Sequence, residues 1–180
     1  MTASPLIYTV GHSTRTLDDL VSLLRANGVA RLADVRSIPR SRRHPHFSRE
    51  ALVASLPAAG VAYLHMPALG GLRKPRREST NTAWQHPGFR GYADYMQTSA
   101  FERALADLLA WAEPGTTAVM CAEAVWWRCH RQLIADALVA RGIEVRHIME
   151  GGAAQPHKLT AFARVSEGRV TYPSLLDHSC

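Results

Sequence analysis

No stretch of this sequence approaches the roughly 20 consecutive apolar residues that a bilayer-spanning helix requires, so no membrane partner is expected. Met1 to Pro5 carry no basic region followed by an apolar core, and a secretory signal is not expected. Cysteine is scarce and odd in number. Three residues, Cys121, Cys129 and Cys180, do not make the disulfide framework of a small secreted domain, which points to a reduced, cytoplasmic setting. The phosphate loop Gly-x-x-x-x-Gly-Lys and the dinucleotide fingerprint Gly-x-Gly-x-x-Gly are both missing, which removes ATP and NAD as default cofactors. Internal repeats and low-complexity segments are absent too.

Acidic residues are missing from two segments. Arg36 to Arg49 holds five arginines and Arg73 to Arg77 holds three arginines and a lysine, together nine of the 21 basic residues. The net charge of +6 therefore sits in these two stretches, and the rest of the chain is net negative. Localised charge of this kind marks an anionic partner, an anionic small molecule or a nucleic acid, better than a high isoelectric point does. The bland alternative is a solvated basic surface.

What is present is an ordinary globular balance, 47% hydrophobic and 20% charged, in a length of 180 residues that suits one α/β domain with a single core. Short apolar runs alternate with helical patterns. Leu6 to Val10, Leu32 to Val35, Val61 to Met66, Thr117 to Met120 and Glu144 to Met149 read as strands. Thr16 to Asp19 reads as a capping box, Ser48 as a cap, and Ser99 to Glu102 as a second capping box. A long irregular insertion is expected at about residues 67–90, and Val170 to Tyr172 reads as an edge strand. Unbroken apolar strands between helices predict a three-layer, mostly parallel sheet with helices on both faces, Rossmann-like in class. Ligands in such sheets bind beyond the carboxyl ends of the strands. Gly11-His12-Ser13, Asp34-Val35-Arg36, Leu69-Gly70-Gly71, Cys121 to Arg131 and Glu150-Gly151-Gly152 all fall on that one edge.

The densest of these is Cys121 to Arg131, a loop from an apolar strand into an amphipathic helix. No Ser, Thr, Asp or Asn stands before that helix, whose start is placed near Arg128, so a bound anion is expected to cap it. Arg36, Arg128, Arg131 and Ser13 are the candidate anion ligands. Cys129, beside Arg128 and His130 at a helix start, has the setting of a reactive thiolate, whereas Cys121 reads as a buried thiol. Glu123, His12 and His130 are the candidate proton-transfer groups, with local hydrogen bonding as their plain alternative. Trp126 and Trp127 serve either as packing or as a base-stacking platform, and Asp34 with Arg36 either as site or as a structural ion pair. A phosphatase-type loop needs a tighter Cys-to-Arg spacing to wrap one phosphate; six residues lie between Cys121 and Arg128, two of them tryptophans, which argues against that mechanism. Cys121, Glu123, Cys129, His130, His147 and His157 could ligate a metal, but their spacing fits no common zinc pattern, and no metal ligand is assigned.

These motifs, in order, resemble the bacterial and archaeal family called domain of unknown function 488. Gly11-His12-Ser13, Asp34-Val35-Arg36 with Pro39 and Ser41, and Leu69-Gly70-Gly71 carry the likeness. So do Gly88-Phe89-Arg90-Gly91-Tyr92-Ala93, Cys121-Ala122-Glu123, Cys129-His130-Arg131, and His157-Lys158-Leu159-Thr160 with Tyr172-Pro173. The resemblance implies a three-layer α/β fold and supplies positions, with no reaction attached.

Two functions follow. One is an enzyme acting on a phosphate-bearing substrate, a nucleotide or nucleic acid. The other is a nucleic-acid-binding module without turnover, in which Arg40, Arg42, Arg43, Arg73, Lys74, Arg76 and Arg77 clamp the backbone and the tryptophans stack. A cluster of Cys, Glu and His favours the enzyme, since a pure binder needs only a broad basic surface. Reaction, cofactor and oligomeric state are left unassigned.

Overall fold

Strand β4 (Thr117–Cys121) is buried along its whole length, as expected of an unbroken apolar run covered on both faces. It lies at the centre of a sheet that a computed structural model describes along with the rest of residues 5–175. Around it stand β1 (Leu6–Gly11), β2 (Arg31–Asp34), β3 (Ala62–His65) and β5 (Glu144–His147), all parallel, with a two-residue strand, β6 (Gln155–Pro156), antiparallel at one edge. The order is β3-β2-β4-β1-β5-β6.

Alternation along the strands divides the core in two. Val10, Leu32, Ala118 and Met120 pack under α1 (Leu17–Ala26) and α2 (Arg49–Ala58), through Leu20, Leu24, Leu52 and Leu56. Ile7, Ala33, Val119, Cys121 and Val145 face the other way. They pack under α3 (Pro87–Tyr95), α4 (Ser99–Ala112) and α5 (Arg131–Val139), through Tyr92, Phe101, Leu105, Leu133 and Ile134. This is the three-layer α/β arrangement expected.

The chain leaves β1 for β2 under one helical layer and leaves β4 for β5 under the other. The loops after these two neighbouring strands therefore part in opposite directions, opening a crevice at the carboxyl edge of the sheet.

Local signals hold with some shifts. Thr16 makes the expected capping box with Asp19, and Ser48 accepts from the Ala51 amide. At α4 the cap is Thr98 and not Ser99: the Thr98 hydroxyl accepts from Phe101 N at 3.2 Å and donates to Tyr95 O at 2.7 Å. One side chain thus serves the end of one helix and the start of the next. The helix after β4 begins later than Arg128, at Arg131, because Trp126–Arg128 forms a 3₁₀ turn of its own. Residues 67–90 are irregular except for a 3₁₀ turn at Pro67–Leu69 and the first turn of α3, where Pro87 follows the cap His86. Val170 lies in β8 (Arg169–Thr171), which pairs with β7 (Arg164–Ser166) in a separate hairpin and not at the edge of the main sheet. Among the described residues no helix is long and apolar enough to cross a membrane.

Candidate functional site

Pairing between β1 and β4 continues beyond the strands. His12 N donates to Cys121 O and Ser13 N to Ala122 O, each at 3.0 Å. A Cβ at Gly11 would overlap the Glu123 carbonyl, so only glycine lets the loop fold back over β1. This return brings Cys121 and Cys129 together.

The two sulfurs lie 2.6 Å apart. Cys129 Sγ also accepts from the Arg131 amide at 3.5 Å and stands 3.5 Å from His130 Nδ1. No oxygen side chain caps α5; a sulfur occupies that place. His130 Nε2 lies 3.1 Å from Val35 O, a carbonyl that can only accept, so Nε2 carries a hydrogen and Nδ1 is left to face the thiol. Cys121 Sγ accepts from Arg131 Nε at 3.0 Å. The surroundings split the pair. The hydrogen bond from Cys121 holds Cys129 well below the usual thiol range against the opposing effect of burial, with His130 and Arg131 adding to the depression. Burial pushes Cys121 well up, reinforced by its hydrogen bond to Cys129. Of the two sulfurs, Cys129 is the one its surroundings bias towards thiolate.

Both sulfurs open on a cleft of about 440 Å³, whose walls include Arg36, Ile38, Leu72, Phe89, Tyr92 and His130, with Glu123 and Arg128 also lining it. A second lobe of about 400 Å³ shares Arg36, Ile38, Ala122 and Glu123 with it and reaches Ser13, Arg40 and His44. Ser37 Oγ donates to Gly71 O at 2.9 Å, which ties the start of the first basic segment to the residues just before the second at this cleft.

Several candidates are placed differently from their expected roles. Arg131 is fully buried, and its guanidinium donates to Cys121 Sγ, to Thr9 Oγ1 at 3.1 Å and to Glu123 O at 2.6 Å. That makes it an internal strut, not an anion ligand. Arg36 is held by Asp34 through Nε at 2.8 Å and Nη2 at 2.6 Å, and also donates to Phe47 O; the structural ion pair is the arrangement found. His12 donates from Nδ1 to Ser13 O, and its Nε2 accepts from Arg36 Nη1 at 3.3 Å. Burial, with the Arg36 charge adding to it, lowers its pKa to about 4 against the Ser13 hydrogen bond. His12 is thus neutral near pH 7 with its lone pair engaged, which does not suit a proton shuttle. Ser13 spends its amide on Ala122 O, in a left-handed turn with φ of 49°.

Trp126 stacks on His147 at 4.3 Å between centroids and is packing; Trp127 is 50% exposed. Arg73 donates to Gly70 O and Ala68 O, and its guanidinium lies 3.7 Å over the Tyr95 ring. Arg40, Arg42, Arg43, Lys74, Arg76, Arg77, Glu123 and Arg128 are exposed. Cys180 lies outside the described residues.

Behind the thiols runs a buried chain that the sequence reading did not assemble. Arg131 Nη1 donates to Thr9 Oγ1, leaving that hydroxyl to donate to His147 Nδ1 at 2.6 Å. His147 Nε2 is then a donor to His157 Nδ1 at 2.8 Å, and His157 Nε2 to Asp136 Oδ1 at 2.7 Å. Asp136 also receives Tyr172 OH at 2.7 Å and the Thr160 amide at 3.0 Å. Every hydrogen bond points from the guanidinium towards the carboxylate, so each polarises the next. The signal was Asp136, an acid set among Leu133, Ile134, Ala137 and Leu138 on the buried side of α5. A buried carboxylate needs partners. Among the described residues no group of three or more His, Cys, Asp or Glu side chains is arranged to hold a metal ion.

Sheet order, crevice and thiol pair define an α/β protein with a cysteine centre at its topological switch point. The family described as Domain of unknown function DUF488 matches residues 16–138, about two thirds of the chain, and the chain belongs to it. No curated protein and no solved structure matches the chain. The matched span runs from the α1 cap to within α5 and takes in both cysteines, His130 and Arg131.

Proposed function

We propose that this protein is a cysteine-dependent enzyme acting, in a reducing cytoplasm, on a phosphate-bearing substrate, a nucleotide or nucleic acid. The observation that carries the reading is Cys129: a sulfur at a helix N-terminus, hydrogen-bonded by Cys121, paired with His130 and open to a cleft. Thiolates of this kind are nucleophiles. In the reaction the Cys129 sulfur bonds to the electrophilic centre of the substrate. His130 Nδ1, 3.5 Å from the sulfur, relays the Cys129 proton to the departing group. A water then releases the covalent intermediate, with Glu123 at the rim as its base. Arg128 and the exposed arginines of the two basic segments hold phosphates, and Trp127 stacks on a base.

The test is turnover of a panel of nucleotides and short single strands by the wild type and Cys129→Ser. A reaction lost in Cys129→Ser and blocked by stoichiometric alkylation of Cys129 supports the reading; activity that survives either change sinks it. A second reading, binding without turnover, is favoured by the exposed basic residues Arg40, Arg42, Arg43, Lys74, Arg76 and Arg77, on segments that start at or just after residues lining the cleft. Salt-dependent binding with no turnover anywhere on the panel would select it.

A further inference from the structure

We propose that Cys121 and Cys129 are the two halves of a reversible disulfide, formed by hydrogen peroxide entering the cleft, with Cys129 as the attacking thiol and Cys121 as the resolving one. Three observations carry this. The sulfurs already touch, at 2.6 Å. Both line the same open cleft, so a small oxidant reaches them although each residue is buried. The segment between them, Ala122 to Arg128, is largely exposed at Ala122, Glu123, Ala124, Trp127 and Arg128. Only a small approach is needed, about 0.5 Å from this contact to the roughly 2.05 Å of an S–S bond, so the segment need not unpack.

The chemistry balances. The Cys129 sulfur attacks one oxygen of hydrogen peroxide as thiolate; an S–O bond forms, the O–O bond breaks, and the departing hydroxide takes the proton given up by Cys129, relayed by His130 Nδ1, and leaves as water. The Cys121 sulfur then attacks the Cys129 sulfenic acid. The S–S bond forms, the S–O bond breaks, and the departing hydroxide carries off the Cys121 proton as a second water. Two thiols are oxidised by two electrons and one peroxide is reduced. Thiol–disulfide exchange with a small dithiol reverses the step. The inference stands on the geometry of the pair and does not depend on which reaction Cys129 catalyses. Its consequence is protective, because a disulfide stops Cys129 at the reversible end of the oxidation ladder, short of sulfinic acid.

The experiment uses the full chain carrying Cys180→Ser, so that no third thiol intervenes. The protein is exposed to stoichiometric hydrogen peroxide, quenched in denaturant with maleimide, and mapped by mass spectrometry. The expected result is a linked Cys121–Cys129 peptide pair lacking two hydrogens, loss of both maleimide labels, and recovery of both labels after dithiothreitol. Cys121→Ser and Cys121→Ala, taken separately in case one fails to fold and given a further equivalent of peroxide for the second oxidation, should instead carry Cys129 to sulfinic acid that dithiothreitol does not reverse. The proposal is overturned if Cys121 stays fully maleimide-labelled in the parent chain, whether Cys129 is unreacted or over-oxidised. Neither outcome depends on an enzyme assay, so failure here leaves the proposed nucleophile standing.

Discussion

Cys129 and Cys121 are chemically identical residues made unlike by their surroundings. One sulfur receives hydrogen bonds from Cys121 and the α5 amide and faces His130; the other is deeper, and burial favours its neutral form. Limiting iodoacetamide near neutral pH should therefore label Cys129 faster than Cys180, with Cys121 slowest. Rates by peptide mass spectrometry in which Cys129 is no faster than Cys180 would end its case as a nucleophile. Phosphate in the cleft should slow the Cys129 reaction. Arg131 couples the two. Arg131→Leu would take a donor from Thr9 Oγ1, leave the Glu123 carbonyl without its guanidinium partner and strip Cys121 of a charged donor. It should cost on the order of 2–4 kcal/mol in urea unfolding and slow Cys129 labelling. A variant with wild-type stability would show that the strut is dispensable.

At the level of elements, the chain from Arg131 to Asp136 joins α5, β1 and β5 to the segment after β6 and to Tyr172 beyond β8. It holds the C-terminal part of the chain against the sheet. Its cost appears in acid. Burial chiefly, with His157 and Arg131 adding to it, lowers His147 from 6.5 to about 3, and His12 falls from 6.5 to about 4. Both imidazoles are neutral in the folded protein while the unfolded chain binds protons below pH 6.5, so stability must fall as pH drops below that value. The loss should continue to about pH 4 for His12 and about pH 3 for His147. The ceiling is about 1.4 kcal/mol per pH unit for each histidine. Unfolding measured from pH 7 to pH 4 should show this slope, and His147→Gln should flatten it. An unchanged slope in that variant would mean that His147 is not a source of the acid sensitivity.

For the whole molecule the question is where the positive charge points. Arg40, Arg42, Arg43, Arg76 and Arg77 are exposed, whereas Arg73 is docked on Tyr95 and on backbone carbonyls. If the exposed five meet a single strand, log affinity should fall with log salt by about 0.7 per phosphate contacted. Replacing them with alanine should lower that slope. Arg73→Ala should instead loosen the 67–90 segment and lower the unfolding midpoint with little change in slope. Binding that ignores salt, or that survives loss of all five, would remove nucleic acid as the partner.

The division between sequence and tertiary structure follows from range. Periodicity, capping and apolar runs act over a few residues, so the strands, the Thr16 and Ser48 caps and the three-layer class were legible from the sequence alone. The gathering of unusual polar residues at the carboxyl edge was legible too, because the alternation of strand and helix places every loop after a strand there. Which of those residues face the cleft was not legible. Arg131, Arg36 and His12 carry the same side chains whether they bind an anion or brace the fold. Only contacts with Thr9, Asp34, Phe47 and the 121–124 backbone, made across the sheet, engage their polar atoms within the fold. The same holds for His147, His157 and Asp136, separated along the chain and joined in space. The sulfur pair was likewise invisible, since a spacing of eight residues becomes contact only when Gly11 lets the loop fold back over β1.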